Sequence, residues 1–319
     1  MNHEVTTGSG ASHWEREAIE KLLLADVRER RAARRWRMLR SLLWMLLFGA
    51  LIWVLASDQL PTSAPSARHT AMVAIHGEIA ERGEASAESV LPALRSAMED
   101  KGAQALVLLI NSPGGSPVQA GLINDEIRRL RALHDKPVYA VVEEACASGA
   151  YYIAAAADRI YVDKASIVGS IGVLMDGFGF TGTMEKLGVE RRLITAGENK
   201  GFLDPFSPLT EAQRAYAETM LEQIHQQFIG VVKAGRGDRL KPTPEIFSGL
   251  FWTGQAAIDL GLADRLGSLD FVAREVVKAE DIIDYTRRDN VAERLAKRFG
   301  AALGGGAARA LQSSTLQLR

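Results

Sequence analysis

The chain has 319 residues, 47% of them hydrophobic, enough for one large domain or two modest ones with a sizeable core. Its net charge of −1 gives no electrostatic footprint for nucleic acid, so no nucleic-acid partner is expected. A single cysteine, Cys146, excludes an intramolecular disulfide, and its small apolar neighbours suit a packed core thiol.

Residues 1–13 are polar and rich in Gly and Ser and are predicted to be disordered. Trp14, Ala18, Leu22 and Ala25 have helical spacing, and the stretch becomes strongly basic towards residue 40, which fits a surface helix. Seven arginines lie between Arg28 and Arg40, against one acid, Glu29. The 17 residues from Ser41 to Ser57 then carry no charge, with Trp44 and Trp53 towards the two ends. At about 1.5 Å per residue this is the lower edge of a bilayer span. The long polar stretch before it is unlike a cleaved signal peptide, so a retained anchor is expected. The basic flank orients it with residues 1–40 in the cytoplasm and the chain beyond Asp58 outside. Residues 58–69, rich in Pro, Ser and Ala, read as a linker. A tail is expected over residues 286–319, where the chain turns to Ala, Gly and Gln.

Between linker and tail, residues 70–285 repeat a strand–helix rhythm and are read as one α/β domain. Strands are predicted over residues 71–75, 105–110, 137–142, 159–162, 171–174 and 190–194. Helices are predicted over 87–101, 117–133, after Ser148, and over 209–234. The continuous apolar runs at 105–110 and 137–142 are those of strands buried on both faces of a largely parallel sheet with helical crossovers.

Ser148 is the most informative residue. It stands between a strand and an Ala-rich helix, where N–H groups favour developing negative charge. A helix N-cap would use a serine there just as well. Asn111-Ser112-Pro113-Gly114-Gly115-Ser116 ends the preceding strand, and its glycines permit a tight turn that points N–H groups outward, as an oxyanion hole requires. Adjacent parallel strands would bring both turns to one edge of the sheet.

A serine nucleophile needs a base. No histidine lies between His134 and His225, so a Ser-His-Asp triad is poorly supplied; His76 and His225 are the remaining candidates. A lysine serves as base where desolvation disfavours its ammonium form. Of the lysines after Ser148, Lys200 follows directly after a predicted strand, in Ala196-Gly197-Glu198-Asn199-Lys200. Metal ligation is unsupported by any His-Glu-x-x-His or Cys pair, and neither metal nor cofactor is expected.

Four stretches resemble, in order, the bacterial signal peptide peptidases of the SppA type in their short, single-repeat form. They are Asn111-Ser112-Pro113-Gly114-Gly115, the run from Cys146 to Ala154, Gly169-Ser170-Ile171-Gly172-Val173, and Gly197-Glu198-Asn199-Lys200 followed by Asp204-Pro205-Phe206-Ser207-Pro208. The resemblance covers roughly residues 70–280. It implies a ClpP/crotonase-like α/β fold preceded by one transmembrane helix, and a serine endopeptidase with a Ser–Lys dyad. By position Ser148 matches the nucleophile, Lys200 the general base and Ser170 the hydroxyl that orients the lysine. Gly114 and Gly149 match the oxyanion hole, with Gly115 adjacent. It further implies a homo-oligomer in which neighbouring subunits can share a dyad, and apolar peptides such as released signal peptides as substrates. Rival readings are an anchored protease specific for a membrane protein such as a stomatin-like partner, a crotonase-type acyl-CoA enzyme, and a catalytically inactive membrane scaffold.

Overall fold

A computed structural model of the chain describes residues 36–50, 67–241 and 243–287. The chain divides into two compact units, Met1–Ala64 and Pro65–Arg319. In the first, residues 36–50 are helical with exposed apolar side chains. The expected span over 41–57 runs on into residues outside the described ones, as do most of the expected linker and tail. Among the described residues no helix is long and apolar enough to cross a membrane.

The second unit is built on an eight-stranded, mostly parallel sheet. Its elements are β1 (His69–His76), α1 (Ala87–Glu99), β2 (Ala103–Ser112), α2 (Pro117–Leu133), β3 (Val138–Ala147), α3 (Gly149–Ala154), β4 (Arg159–Val162) and β5 (Ile167–Gly169), followed by α4 (Thr181–Leu187), α5 (Glu211–Arg236), β6 (Phe251–Thr253), α6 (Gly254–Asp259), β7 (Arg265–Leu266), α7 (Leu269–Phe271) and β8 (Ile282–Asp284). The main path of the sheet is β6-β5-β3-β2-β1-β8, with β4 pairing β3 and β7. Among the described residues only β5 and β6 pair antiparallel.

Apolar side chains of β2 alternate between two cores, which is why its sequence is continuously hydrophobic. Leu106, Leu108 and Ile110 pack with Leu94 of α1, Ile123 of α2, Ile153 of α3 and Val232 of α5. Val107 faces the other way, towards Val141, Tyr161 and Val272. Full burial of each such side chain stabilises the fold by about 1.5–3 kcal/mol.

The helices start where the sequence offers caps. Ser86, Ser116 and Thr210 each accept a backbone N–H with their side chains, and Thr210 with Gln213 completes a capping box. Two ion clusters tie the elements together. Arg236, only 1% exposed, holds Asp264 at 2.8 Å and the Gly261 carbonyl at 2.8 Å, fixing the end of α5. Glu126 of α2 accepts from Arg129 at 2.7 Å and from Arg95 of α1 at 2.6 Å.

The Arg129 hydrogen bond outweighs desolvation of the Glu126 carboxyl and, with Arg95, pulls its pKa from 4.5 down to about 2. A depressed carboxyl pKa contributes stability above its unfolded value and loses it as pH falls through the folded one. The thermal unfolding temperature is therefore expected to fall as pH drops from about 4.5 to 2, and Glu126→Gln to flatten that part of the curve. An unchanged curve in the variant would rule the cluster out as an acid-sensitive tie.

Two of the expected strands are not strands. Residues 171–174 and 190–194 are irregular. β5 has β6 as its antiparallel neighbour, and the last bond of that pairing runs from Ser170 N–H to the Leu250 carbonyl at 2.7 Å. At Ser170 the backbone turns through φ 51° and leaves the sheet. No strand among the described residues lies beside 190–194, so its apolar pattern finds no ladder and Ile194 remains 95% exposed.

Candidate active site

β2 and β3 are adjacent and parallel, so their C-terminal ends meet at one edge of the sheet. The pairing runs Ile110↔Val142 and then Ser112↔Cys146, so two residues of advance on β2 are matched by four on β3. This bulge shifts the end of β3 sideways to take β5 as its outer neighbour in place of β4. The turn after β2 and the turn after β3 then lie against each other.

In the first turn every backbone donor can be accounted for. Pro113 has no N–H. Gly114 N–H donates to Ser112 Oγ at 3.1 Å, and Ser116 N–H to the Ile79 carbonyl at 2.7 Å. The Gly114 carbonyl accepts from Ile79 N–H at 2.8 Å. Gly115 N–H is left with no acceptor among the described residues. The turn needs glycine for reasons of space: at Gly114, φ +100°, a Cβ would stand 2.7 Å from Ser148 Cβ and 2.8 Å from Gly149 N. At Gly115, φ +144°, it would stand 2.2 Å from the Ile79 carbonyl oxygen.

In the second turn Ser148 occupies the N-cap position of α3 but makes no side-chain cap bond. Its backbone sits at φ 52°, ψ −123°, a conformation that L-residues rarely adopt. Its N–H donates to the Gly169 carbonyl at 2.8 Å and its carbonyl accepts from Tyr152 N–H at 3.0 Å. The main chain is thus committed while Oγ stays free of any partner among the described residues. The next residue opens the helix, so the N–H of Gly149 has no intrahelical acceptor. A Cβ on Gly149 would stand 3.3 Å from Gly115 N, which puts the two free amides in neighbouring residues in contact.

α3 is only six residues long and is held in place from outside. Asn124 Nδ2 donates to the Tyr152 carbonyl at 2.6 Å, and the Tyr151 hydroxyl to the Leu262 carbonyl at 2.7 Å. With so short a helix, the two nearby N–H groups matter more for an anion than a macrodipole does.

Ser148, Gly115, Gly149 and Ser170 line one cavity of about 520 Å³, with Tyr152, Phe228 and Leu174 among its apolar walls. Ser170, like Ser148, has a strained backbone, at φ 51°. Such strain concentrates at active sites. Phe228 and Ile224 come from α5, whose part in the cavity is not legible from sequence because they belong simply to its apolar face.

The other candidates fall elsewhere. Lys200 is exposed in a turn, its N–H bonded to the Gly197 carbonyl at 3.1 Å, and it does not line the cavity. His76 pairs with Glu143 at 2.8 Å. His225 Nε2 lies 3.1 Å from the Ile171 carbonyl, so it donates there and steadies the chain just after Ser170. Neither histidine lines the cavity. Cys146 is fully buried, and desolvation pushes its thiol pKa well up, so it carries no reactive thiolate. Among the described residues no group of three or more His, Cys, Asp or Glu is placed to hold a metal ion.

Residues 131–282 match the model of peptidase family S49. The chain is 46% identical over 203 residues to a Brucella melitensis protein named Na(+)/H(+) antiporter NhaA, covering 62% of this chain and 28% of that one. It is 28% identical over 222 residues to an Enterococcus faecium protein provisionally named a signal peptide peptidase SppA, covering 67% of this chain and 64% of that one. It is 32% identical over 209 residues to a Synechocystis sp. protein provisionally named a protease, covering 65% of this chain and 73% of that one. The chain thus spans under a third of the length of the Brucella relative and just under two thirds of the Enterococcus one. On the family match, the Synechocystis relative and the serine-bearing turn at the sheet edge, the chain belongs to peptidase family S49.

Proposed function

We propose that this chain is a serine endopeptidase in which Ser148 is the nucleophile, acting through an acyl-enzyme. The observation that carries the reading is Ser148 itself, a serine on strained backbone whose hydroxyl caps nothing and whose neighbours Gly115 and Gly149 carry two free N–H groups. Lys200 is the general base in this reading. Its neutral amine takes the Ser148 proton as Oγ bonds to the substrate carbonyl carbon. The oxyanion formed is held by Gly115 and Gly149 N–H, and the intermediate expels an amine that takes its proton from Lys200. Water, deprotonated by Lys200, then attacks the ester carbon, and as the bond to Oγ breaks Ser148 takes that proton back from Lys200. Ser170 orients the lysine amine. Gly114 serves by having no side chain, since its own N–H is engaged by Ser112.

Because Lys200 does not line the cavity of its own chain, the reading assigns it to the site of a neighbouring copy. The exposed apolar side chains of residues 174–209, among them Leu174, Phe178, Leu187 and Ile194, support such an assembly. The apolar cavity walls favour extended apolar peptides, and signal peptides left after export are the proposed substrates. The arginine-flanked stretch 41–57 would anchor the enzyme beside them, with the catalytic domain outside the cytoplasm.

A fluorophosphonate probe is expected to label the purified chain at Ser148, mapped by mass spectrometry, and an apolar fluorogenic peptide to be cleaved. A folded chain that neither labels nor cleaves would be a scaffold and would overturn the reading. Gly114→Ala is expected to lower kcat about 10²–10³-fold, since the added methyl displaces both Ser148 and the Gly149 amide. Full activity in that variant would remove Gly114 from the site.

A further inference from the structure

We infer that Ser112 is a positioning residue for the oxyanion hole, selecting which of the two glycine amides faces the substrate. The inference rests on the serine-protease reading above and deepens it.

Two consecutive glycines have no side chains to hold them and wide freedom in φ and ψ, so the turn after β2 takes its shape from bonds made to it. Two of these come from Ile79, whose N–H binds the Gly114 carbonyl and whose carbonyl binds Ser116 N–H. The first of them holds the peptide plane shared by the Gly114 carbonyl and Gly115 N–H, and neither engages Gly115 N–H itself. The third comes from Ser112 Oγ, which accepts Gly114 N–H at 3.1 Å. Ser112 is 0% exposed, so no water can substitute as the acceptor without entering a packed site. Its Cα is in register with Cys146, two residues before the nucleophile.

With this third bond in place Gly114 N–H points back to the strand end and Gly115 N–H is the donor left beside Gly149. Without it, Gly114 N–H is a buried donor seeking a new acceptor. The peptide between Pro113 and Gly114 can then rotate and turn Gly114 N–H towards the site, and the Gly115 amide, in one plane with the Gly114 carbonyl, keeps a single restraint, from Ile79, where Gly114 had been held on both sides. Ser112 touches no substrate atom in this scheme; it acts through Gly115. A donor held in place matters most where charge develops, so the loss should fall on the transition state and spare ground-state binding.

The experiment compares Ser112→Ala, Ser112→Cys and Ser112→Thr in the full chain. Cysteine keeps the unbranched shape of serine with a larger atom that is only a weak acceptor, whereas threonine keeps the acceptor and adds a methyl group. If the hydroxyl positions the turn, Ala and Cys lower kcat by roughly 10–100-fold with KM within about twofold, and Thr retains most of the rate. A peptide aldehyde, whose adduct carries an oxygen in the hole, loses affinity by about the same factor as kcat/KM in Ala and Cys. A packing role gives the reverse order, with Cys close to wild type and Thr impaired, and that order overturns the inference. So does a wild-type rate in both Ala and Cys. Should Thr fail to fold, the Cys variant decides alone, by a lowered kcat at wild-type KM or by a wild-type kcat. An inactive, unlabelled wild-type chain overturns the protease reading and this inference with it, whereas an active wild type with an undiminished Cys variant overturns the inference alone.

Discussion

Ser148→Gly is expected to be catalytically dead and yet more stable than the wild-type chain. Removal of the nucleophile leaves only binding and the oxyanion amides, and the loss in kcat should be on the order of 10⁴-fold or more. The gain in stability has a separate cause. Ser148 is held at φ 52°, ψ −123°, where a side chain costs about 1–3 kcal/mol, and its hydroxyl returns nothing by capping α3. Glycine adopts this conformation freely. Its greater freedom in the unfolded chain takes back about 0.4–1 kcal/mol, leaving a net gain on the order of 1 kcal/mol. Ser148→Ala separates the two effects. It removes the nucleophile but keeps the Cβ, so it should be as inactive as glycine with stability near that of wild type. Urea unfolding of the three proteins measures the difference. If glycine proves less stable than alanine, no strain is stored at Ser148, and the backbone there is ordinary turn geometry.

That strain also marks the limit of what a sequence conveys. The buried strands were legible because the runs 105–110 and 137–142 are apolar without interruption, and they form the centre of β2 and, from Val138, the first half of β3. Their adjacency follows from the topology of such sheets, and the Ser112↔Cys146 pairing places both turns at one edge as expected. A positive φ at a serine has no compositional signal, unlike one at glycine. Nor does spacing reveal which N–H of Gly114 and Gly115 is free. That depends on Ser112 Oγ and on Ile79, which is distant in sequence and reaches the turn only through the fold.

The strand expected at 190–194 shows the complementary limit. Its pattern of Leu193 and Ile194 after charged residues is that of a strand edge, but a strand exists only against a neighbour. Within one chain none is present among the described residues, and these side chains stay exposed. An apolar pattern reports that a surface will be covered, and is silent on whether the same chain covers it. The same ambiguity attaches to Lys200, whose position in sequence suits a base but which does not line the Ser148 cavity of its own chain.

Co-expression of two inactive variants is accordingly expected to restore activity. Ser148→Ala supplies chains with Lys200 and no nucleophile, and Lys200→Ala supplies chains with the nucleophile and no base. In a closed assembly where each Ser148 meets the neighbour's Lys200, a site works when a Lys200→Ala chain sits beside a Ser148→Ala chain in the correct order. At equal expression and random placement, each condition holds at half the positions, so about one quarter of sites should work. Each variant expressed alone should fall by about 10³-fold or more, so the recovered signal stands well above background. Fluorophosphonate labelling gives a second readout, because recovered label should appear only on chains carrying Lys200→Ala. The heterologous contact this requires is one in which residues 174–209 of one copy approach the Ser148 cavity of the next, repeated round a ring whose rotation closes. If the mixed assembly contains both chains and remains as inactive as either parent, the dyad lies within one chain. The 174–209 segment would then have to fold back over its own cavity, burying its exposed apolar side chains there and carrying Lys200 to Ser148.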